Sequence, residues 1–152
     1  MRFRPIRQKP NPIRDRHSIL DAEFGRRLRE IATRIAPRFL TQMLTGVDWG
    51  RYTLVGFTST FDQSVASLTM AKLIKDLYPH VTIVFGGANY DGEMGLEYFR
   101  AFPFIDHVVV GEGEEVFPRL VRYVLDEKTG ALPPGVTERQ GSDILFTPNR
   151  SL

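Results

Sequence analysis

A chain of 152 residues with 42% hydrophobic and 25% charged residues has the makeup of one globular domain with a sizeable core. It contains no cysteine, which excludes disulfides, thiolate zinc sites, iron–sulfur clusters and a cysteine nucleophile from these residues. The net charge of +2 hides an asymmetry: Met1 to Tyr52 holds twelve Lys/Arg against five Asp/Glu, and Thr53 to Leu152 holds eight against thirteen.

Residues 1–17 read as a basic extended arm, because Arg2, Arg4, Arg7, Lys9, Arg14 and Arg16 are interleaved with Pro5, Pro10 and Pro12. A basic first third admits nucleic acid or an acidic protein surface as a partner. The scarcity of aromatics in it favours a solvated arm and no nucleic-acid role. No apolar stretch has the length of a membrane span, and the N-terminus lacks the core of a signal peptide. The expectation is a cytoplasmic protein with no membrane partner.

Residues 18–46 form the next segment. Ser18 or Asp21 is placed to cap a helix in which Phe24, Leu28, Ile31 and Ile35 recur at helical spacing. Pro37 interrupts the pattern and Phe39, Leu40, Met43 and Leu44 resume it, which predicts a kink or two helices ending near Gly46. From Tyr52 the period changes. Leu54 to Thr58 reads as a short strand, and a helix from Ser64 to Tyr78 follows with Ala66, Met70, Leu73 and Leu77 on one face. A β-branched run from Val81 to Phe85 stops at Gly86-Gly87, as a buried parallel strand does at the carboxyl edge of an open sheet. A helix over 93–101, a strand from His107 to Val110 and a helix over 115–126 complete the core at 47–130. In the last helix Val116, Phe117, Leu120, Val121, Val124 and Leu125 are expected to face inward. The tail at 131–152 carries Pro133-Pro134-Gly135 and then one edge strand, Ile144-Leu145-Phe146. Strands alternating with helices through short connections predict an α/β fold built from right-handed βαβ units on a parallel sheet.

Open α/β sheets bind ligands beyond the carboxyl ends of their strands. That directs attention to the turns at 59–63, 86–95 and 111–115. The first carries hydroxyls and amides, the second bare backbone, the third carboxylates. Neither glycine turn matches a phosphate-loop or dinucleotide fingerprint, so the mixture suits a neutral, multiply hydrogen-bonding ligand better than a polyphosphate. Glu112, Glu114 and Glu115 admit a hard cation, but favourable placement at a helix N-terminus is the preferred account of them. Asp91 and Glu93 divide between acid–base work and helix capping, with capping favoured. His80 is expected at the surface and His107 in a structural role.

The segments Val55 to Gln63, Phe85 to Gly95 and Phe102 to Glu114 together resemble the cobalamin (B12)-binding domain of B12-dependent radical SAM proteins. The branch most similar is the C-methyltransferases that mature ribosomally made peptides. The resemblance covers roughly 48–138, and it implies a flavodoxin-like, Rossmann-like three-layer sandwich. Its Ser-to-Gly-Gly interval appears here as the 27 positions from Ser59 to Gly86. It implies cobalamin as cofactor, with Thr58, Ser59 and Thr60 toward the nucleotide tail. Gly86, Gly87, Ala88 and Asn89 would leave that tail room, and Gly111, Glu112 and Gly113 would form a further wall. Some such domains supply an axial histidine from Asp-x-His-x-x-Gly. Asp15-Arg16-His17-Ser18-Ile19-Leu20 has Leu20 in place of the glycine and no strand before it, so His17 is read as coincidence and no metal ligand is assigned.

Two departures qualify the resemblance. The usual first strand has no equivalent here, which would leave the edge of Leu54 to Thr58 open to a second copy of the chain or to the N-terminal segment. The cysteines of a radical SAM cluster are missing, so these residues hold no iron–sulfur cluster and are not expected to be an enzyme alone. A radical SAM catalytic domain or chain is the implied partner. Two other functions stand beside this one: a degenerate remnant serving only as an interaction or dimerisation domain, and a small hydrolase or transferase using Asp91, Glu93 and Glu112. The latter lacks a nucleophile–base pair.

Overall fold

The computed structural model describes residues 22–141 and 143–149; the basic arm, His17 and both proposed helix caps lie outside them. The chain divides into one unit ending at Met43 and another running from Leu44. A first helix, α1 (22–30), continues through a π-helical stretch, Ile31–Ile35, into α2 (Ala36–Gly46). This is the form the interruption at Pro37 takes. A proline ring crowds the carbonyl four residues back, here that of Thr33, and the wider π turn accommodates it. Phe24, Leu28, Ile31, Ile35, Phe39 and Met43 all remain exposed. Their spacing predicted the helix but not burial.

In the second unit, β1 (Leu54–Thr58), α3 (Ser64–Leu77), β2 (Thr82–Gly86), α4 (Gly92–Ala101) and β3 (His107–Val108) alternate, and α5 (Gly113–Leu125) follows. The strands make a parallel sheet in the order β1-β2-β3, so β1 stands at an edge. Leu54 pairs with Thr82 and Thr58 with Gly86, while Val84 and Phe85 pair with His107 and Val108. This is the α/β sandwich expected, with helices flanking the sheet. Ile83, Val84 and Phe85 of the central strand are all buried, which is why that segment reads as an unbroken apolar run.

Val84, Val109 and Val136 pack with Val116, Leu120, Tyr123 and Val124 of α5. Three of the residues expected inward on α5 are not buried: Phe117 and Leu125 are exposed and Val121 is half-buried. The face α3 buries is Ser64, Met70, Ala71 and Ile74, while Ala66 and Leu77 of the expected face are exposed. The sheet covers only part of an apolar stripe wider than the contact. The third strand is shorter than predicted: Val109 N–H still donates to the Phe85 carbonyl at 2.8 Å, but Val109 also bridges Val136 in the antiparallel sense and Val110 N–H donates to the Gly135 carbonyl at 2.8 Å. The tail beyond forms a hairpin of β4 (Thr137–Gln140) and β5 (Asp143–Phe146) rather than a lone edge strand.

The amino end of the sheet is fastened by one carboxylate. Asp106 accepts from Lys75 Nζ at 3.0 and 2.8 Å and from the Ile83 N–H at 2.7 Å, and Lys75 also donates to the Val81 carbonyl at 2.9 Å. That leaves the carboxyl end free for a site.

His107 is fully buried, with Nδ1 2.8 Å from the Thr137 carbonyl and Nε2 without a partner. The neutral ring with its proton on Nδ1 satisfies that carbonyl, whereas protonation would bury a second N–H with no acceptor. Burial therefore holds its pKa below the usual 6.5, against the raising effects of the Thr137 carbonyl, Glu138 and Asp106. A lowered folded pKa means that the unfolded chain binds the proton more readily. Stability is then complete above the unfolded value and falls as the pH drops from about 6.5 toward the folded pKa, with a slope of at most about 1.4 kcal/mol per pH unit. Urea unfolding at pH 7 and pH 5 is expected to show this loss in the native chain, and a smaller one in His107→Gln, whose amide keeps a donor for Thr137. Equal losses in both would remove His107 as the source.

Candidate functional site

β1 and β2 end abreast, and the turns that follow them are laced together. Ser59 N–H donates to the Gly86 carbonyl at 2.9 Å, Asn89 N–H to the Ser59 carbonyl at 3.2 Å, and Tyr90 N–H to the Gly87 carbonyl at 2.8 Å. The Asn89 side-chain amide donates to Ser64 Oγ at 2.8 Å, to the Phe61 carbonyl at 2.9 Å and to Ser59 Oγ at 3.2 Å. Ser59 is fully buried, and its hydroxyl also lies 3.0 Å from Ser64 Oγ. Thr60 N–H donates to Gln63 Oε1 at 3.1 Å, fixing the short turn into α3.

Gly87 has φ +92° and ψ 178°, backbone that only glycine adopts readily. A Cβ there would meet Ser59 O and Thr58 Oγ1 at 2.9 Å each. Gly86 is different, since an added Cβ would meet nothing nearer than Val109 O at 3.6 Å. Gly56 would likewise meet only the Phe117 ring at 3.7 Å, and Gly113 nothing within 4 Å. The fold does not require glycine at these three positions on steric grounds.

All three border one cavity of about 730 Å³ at the carboxyl edge. Phe57 and Phe85, stacked with centroids 5.0 Å apart, contribute an apolar floor together with Val84 and Val109, and Phe117 of α5 closes one side. Thr58 and Gly86 to Ala88 make one wall, and Gly111 to Glu114 another. Among the described residues Asp91, Glu112 and Glu114 are the charged groups lining it, and no lysine or arginine does. Such a site suits a neutral or cationic ligand with a large apolar surface and offers little to a polyphosphate.

The structure thus brings Thr58, Gly86, Gly87, Ala88, Gly111, Glu112 and Gly113 to the cavity, while Ser59, Thr60 and Asn89 do not line it. Asp91 caps α4, its Oδ1 accepting from Gly92 N–H at 2.8 Å, and Glu93 occupies the first turn of that helix. Glu114 and Glu115 lie in the first turn of α5, where the helix dipole favours them. Among the described residues no three acidic or histidine groups are placed to hold a metal ion. His80 is exposed, with Nε2 3.0 Å from the Gly50 carbonyl. Sequence reasoning missed Gly56, Phe57 and Phe117. A glycine inside an apolar strand was the available signal, because it weakens the strand and often marks close approach of a ligand.

Over 82 residues the chain is 34% identical to the cobalamin-dependent radical SAM methyltransferase TokK of Streptomyces tokunonensis. Over 77 residues it is 31% identical to the 2-(S-pantetheinyl)-carbapenam-3-carboxylate methyltransferase of Streptantibioticus cattleyicolor. The matches take in 53% and 50% of this chain but only 12% and 11% of those proteins. No protein-family model matches the sequence. Among the described residues no helix is long and apolar enough to cross a membrane.

Proposed function

We propose that these residues form a cobalamin-binding module that holds the corrinoid at the carboxyl edge of the sheet for a radical SAM methyltransferase domain outside them. The observation that carries the reading is the trio Gly56, Gly86 and Gly113: each has room for a side chain, none has one, and all face the same apolar-floored cavity. The similarity to two methyltransferases, one of them cobalamin-dependent by name, supports the choice of ligand. The open cavity beside Gly86-Gly87 favours binding over a remnant that has lost its site.

In this reading Thr58 offers a hydroxyl, Gly86 to Ala88 present bare backbone for close approach, and Gly111 to Gly113 bound the opposite side. Phe57, Val109 and Phe117 exclude water. Bound cobalamin supplies the methyl-transfer chemistry; the protein's share is binding and orientation. Asp91 is engaged as a helix cap and no nucleophile–base pair lines the cavity among the described residues, so we assign no catalytic role to them. The iron–sulfur cluster of a radical SAM partner must come from elsewhere, because the sequence has no cysteine. We place the module in the peptide-maturation branch on the motif resemblance at 55–63, 85–95 and 102–114.

The test is spectroscopic. Hydroxocobalamin added to the full chain is expected to co-elute on gel filtration with a changed visible spectrum. Elution of all the corrinoid at its free position, with an unaltered spectrum, would overturn the proposal.

A further inference from the structure

We infer that Phe61 is held in a strained backbone conformation so that its ring meets the corrinoid where the ligand rises out of the cavity. The inference rests on the cobalamin reading above. Phe61 has φ +46°, a region bulky side chains enter only when their surroundings force them. Here they do. Thr60 N–H is bound to Gln63 on one side, and on the other the Asn89 amide holds the Phe61 carbonyl at 2.9 Å. Asn89 is itself anchored on the buried hydroxyls of Ser59 and Ser64.

The fold gains no burial from this arrangement, because Phe61 is 89% exposed. Strain and exposure together make it the wrong residue for an internal purpose. Its position suggests the right one. Phe61 lies three positions after Thr58, and the Asn89 that fixes it directly follows Ala88; Thr58 and Ala88 both line the cavity. A corrinoid with its nucleotide tail is larger than the drug-sized ligands that cavities of this class enclose. Part of it must lie over the rim, and the exposed ring of Phe61, on the turn that leads away from Thr58, would give it a flat apolar contact.

The experiment separates strain from contact by their signs. In Phe61→Asn the backbone strain is relieved, because asparagine tolerates left-handed conformation, and the ring is lost. Its melting temperature is expected to rise by a few degrees. Its dissociation constant for hydroxocobalamin is expected to increase about fivefold, the size of one aromatic contact. Phe61→Tyr is expected to keep native affinity. A purely structural role would move stability and leave affinity alone. Raised stability with unchanged affinity would therefore overturn the inference while leaving the cobalamin reading intact. A lower melting temperature in Phe61→Asn would overturn the strain premise. A smaller species on gel filtration for Phe61→Asn than for the ligand-free native chain would place a second copy on the ring and also overturn it. Absence of binding by the native chain would overturn both the inference and the reading beneath it.

Discussion

Gly87→Ala is expected to lose a large part of the protein's stability, whereas Gly86→Ala, one residue away, is expected to fold and fail at the site. The two glycines look alike in sequence and are opposites in structure. Gly87 has φ +92°, and an added methyl would stand 2.9 Å from two oxygens of the neighbouring turn, one of them backbone. The strained conformation alone is worth on the order of 1–3 kcal/mol for a residue with a side chain. Separating the laced turns adds a similar amount, so a total of about 3 kcal/mol or more is taken from a stability that rarely exceeds 15. The Gly86 methyl has 3.6 Å of clearance and sits in a strand, where alanine is favoured over glycine by roughly 0.5–1 kcal/mol. Urea unfolding should therefore place Gly86→Ala level with or above the native chain. Hydroxocobalamin binding by this variant should weaken about tenfold, as expected when one methyl overpacks a fitted wall. Native stability in Gly87→Ala would contradict the close approach of the turns. Native affinity in Gly86→Ala would show that the space beside it is not used.

That contrast marks how far the sequence could be read. Period and punctuation located every helix and strand of the parallel sheet, because buried parallel strands are continuous apolar runs and their ends need special backbone. The run to Phe85 stopped by Gly86-Gly87 identified the edge where the cavity lies. What periodicity does not carry is which part of an apolar stripe the neighbour covers. On α3 the sheet takes Met70, Ala71 and Ile74 and leaves Leu77 out, and on α5 Phe117 turns to the cavity. The first strand of the hairpin at 137–146 escaped notice because β4, Thr-Glu-Arg-Gln, has no apolar alternation; its polar residues answer to particular partners. Glu138 accepts from the Tyr123 hydroxyl at 3.0 Å, and the Arg139 guanidinium lies 4.2 Å from the Phe99 ring centroid. At the site, the family resemblance singled out Ser59 and Asn89 but could not say that their side chains would be hydrogen-bonded to each other and to Ser64. That depends on Ser64 and the Phe61 carbonyl lying within reach of one amide.

The largest single effect is expected from Gly95→Ala, at a position that sequence alone reads as an ordinary interior residue of a short helix. An added Cβ would lie 2.0 Å from the Tyr90 carbonyl oxygen and 2.7 Å from its carbon, distances no packed atoms tolerate. Neither side can give way cheaply. Tyr90 is fully buried, with its ring 4.9 Å from that of Phe85 and 4.8 Å from that of Tyr98. Gly95 is held by its own N–H to the Asp91 carbonyl at 3.4 Å, inside the turn that Asp91 caps. The variant must either lift α4 from the turn at 88–90 or drag Tyr90 out of the sheet's aromatic packing. Displacing a fully buried large side chain falls in the range of about 3–5 kcal/mol. Expected results are a urea midpoint far below the native one and loss of the near-ultraviolet signal of the packed tyrosines. Any folded fraction should lack the cavity, because the turn that moves carries Ala88. Gly113→Ala is the control, with nothing within 4 Å of the new methyl and a helical backbone that favours alanine. If Gly95→Ala and Gly113→Ala proved equally stable, the contact of α4 with the Gly-Gly turn would have to be looser than this structure has it, and the rigid wall on which the proposed ligand binding rests would be lost with it.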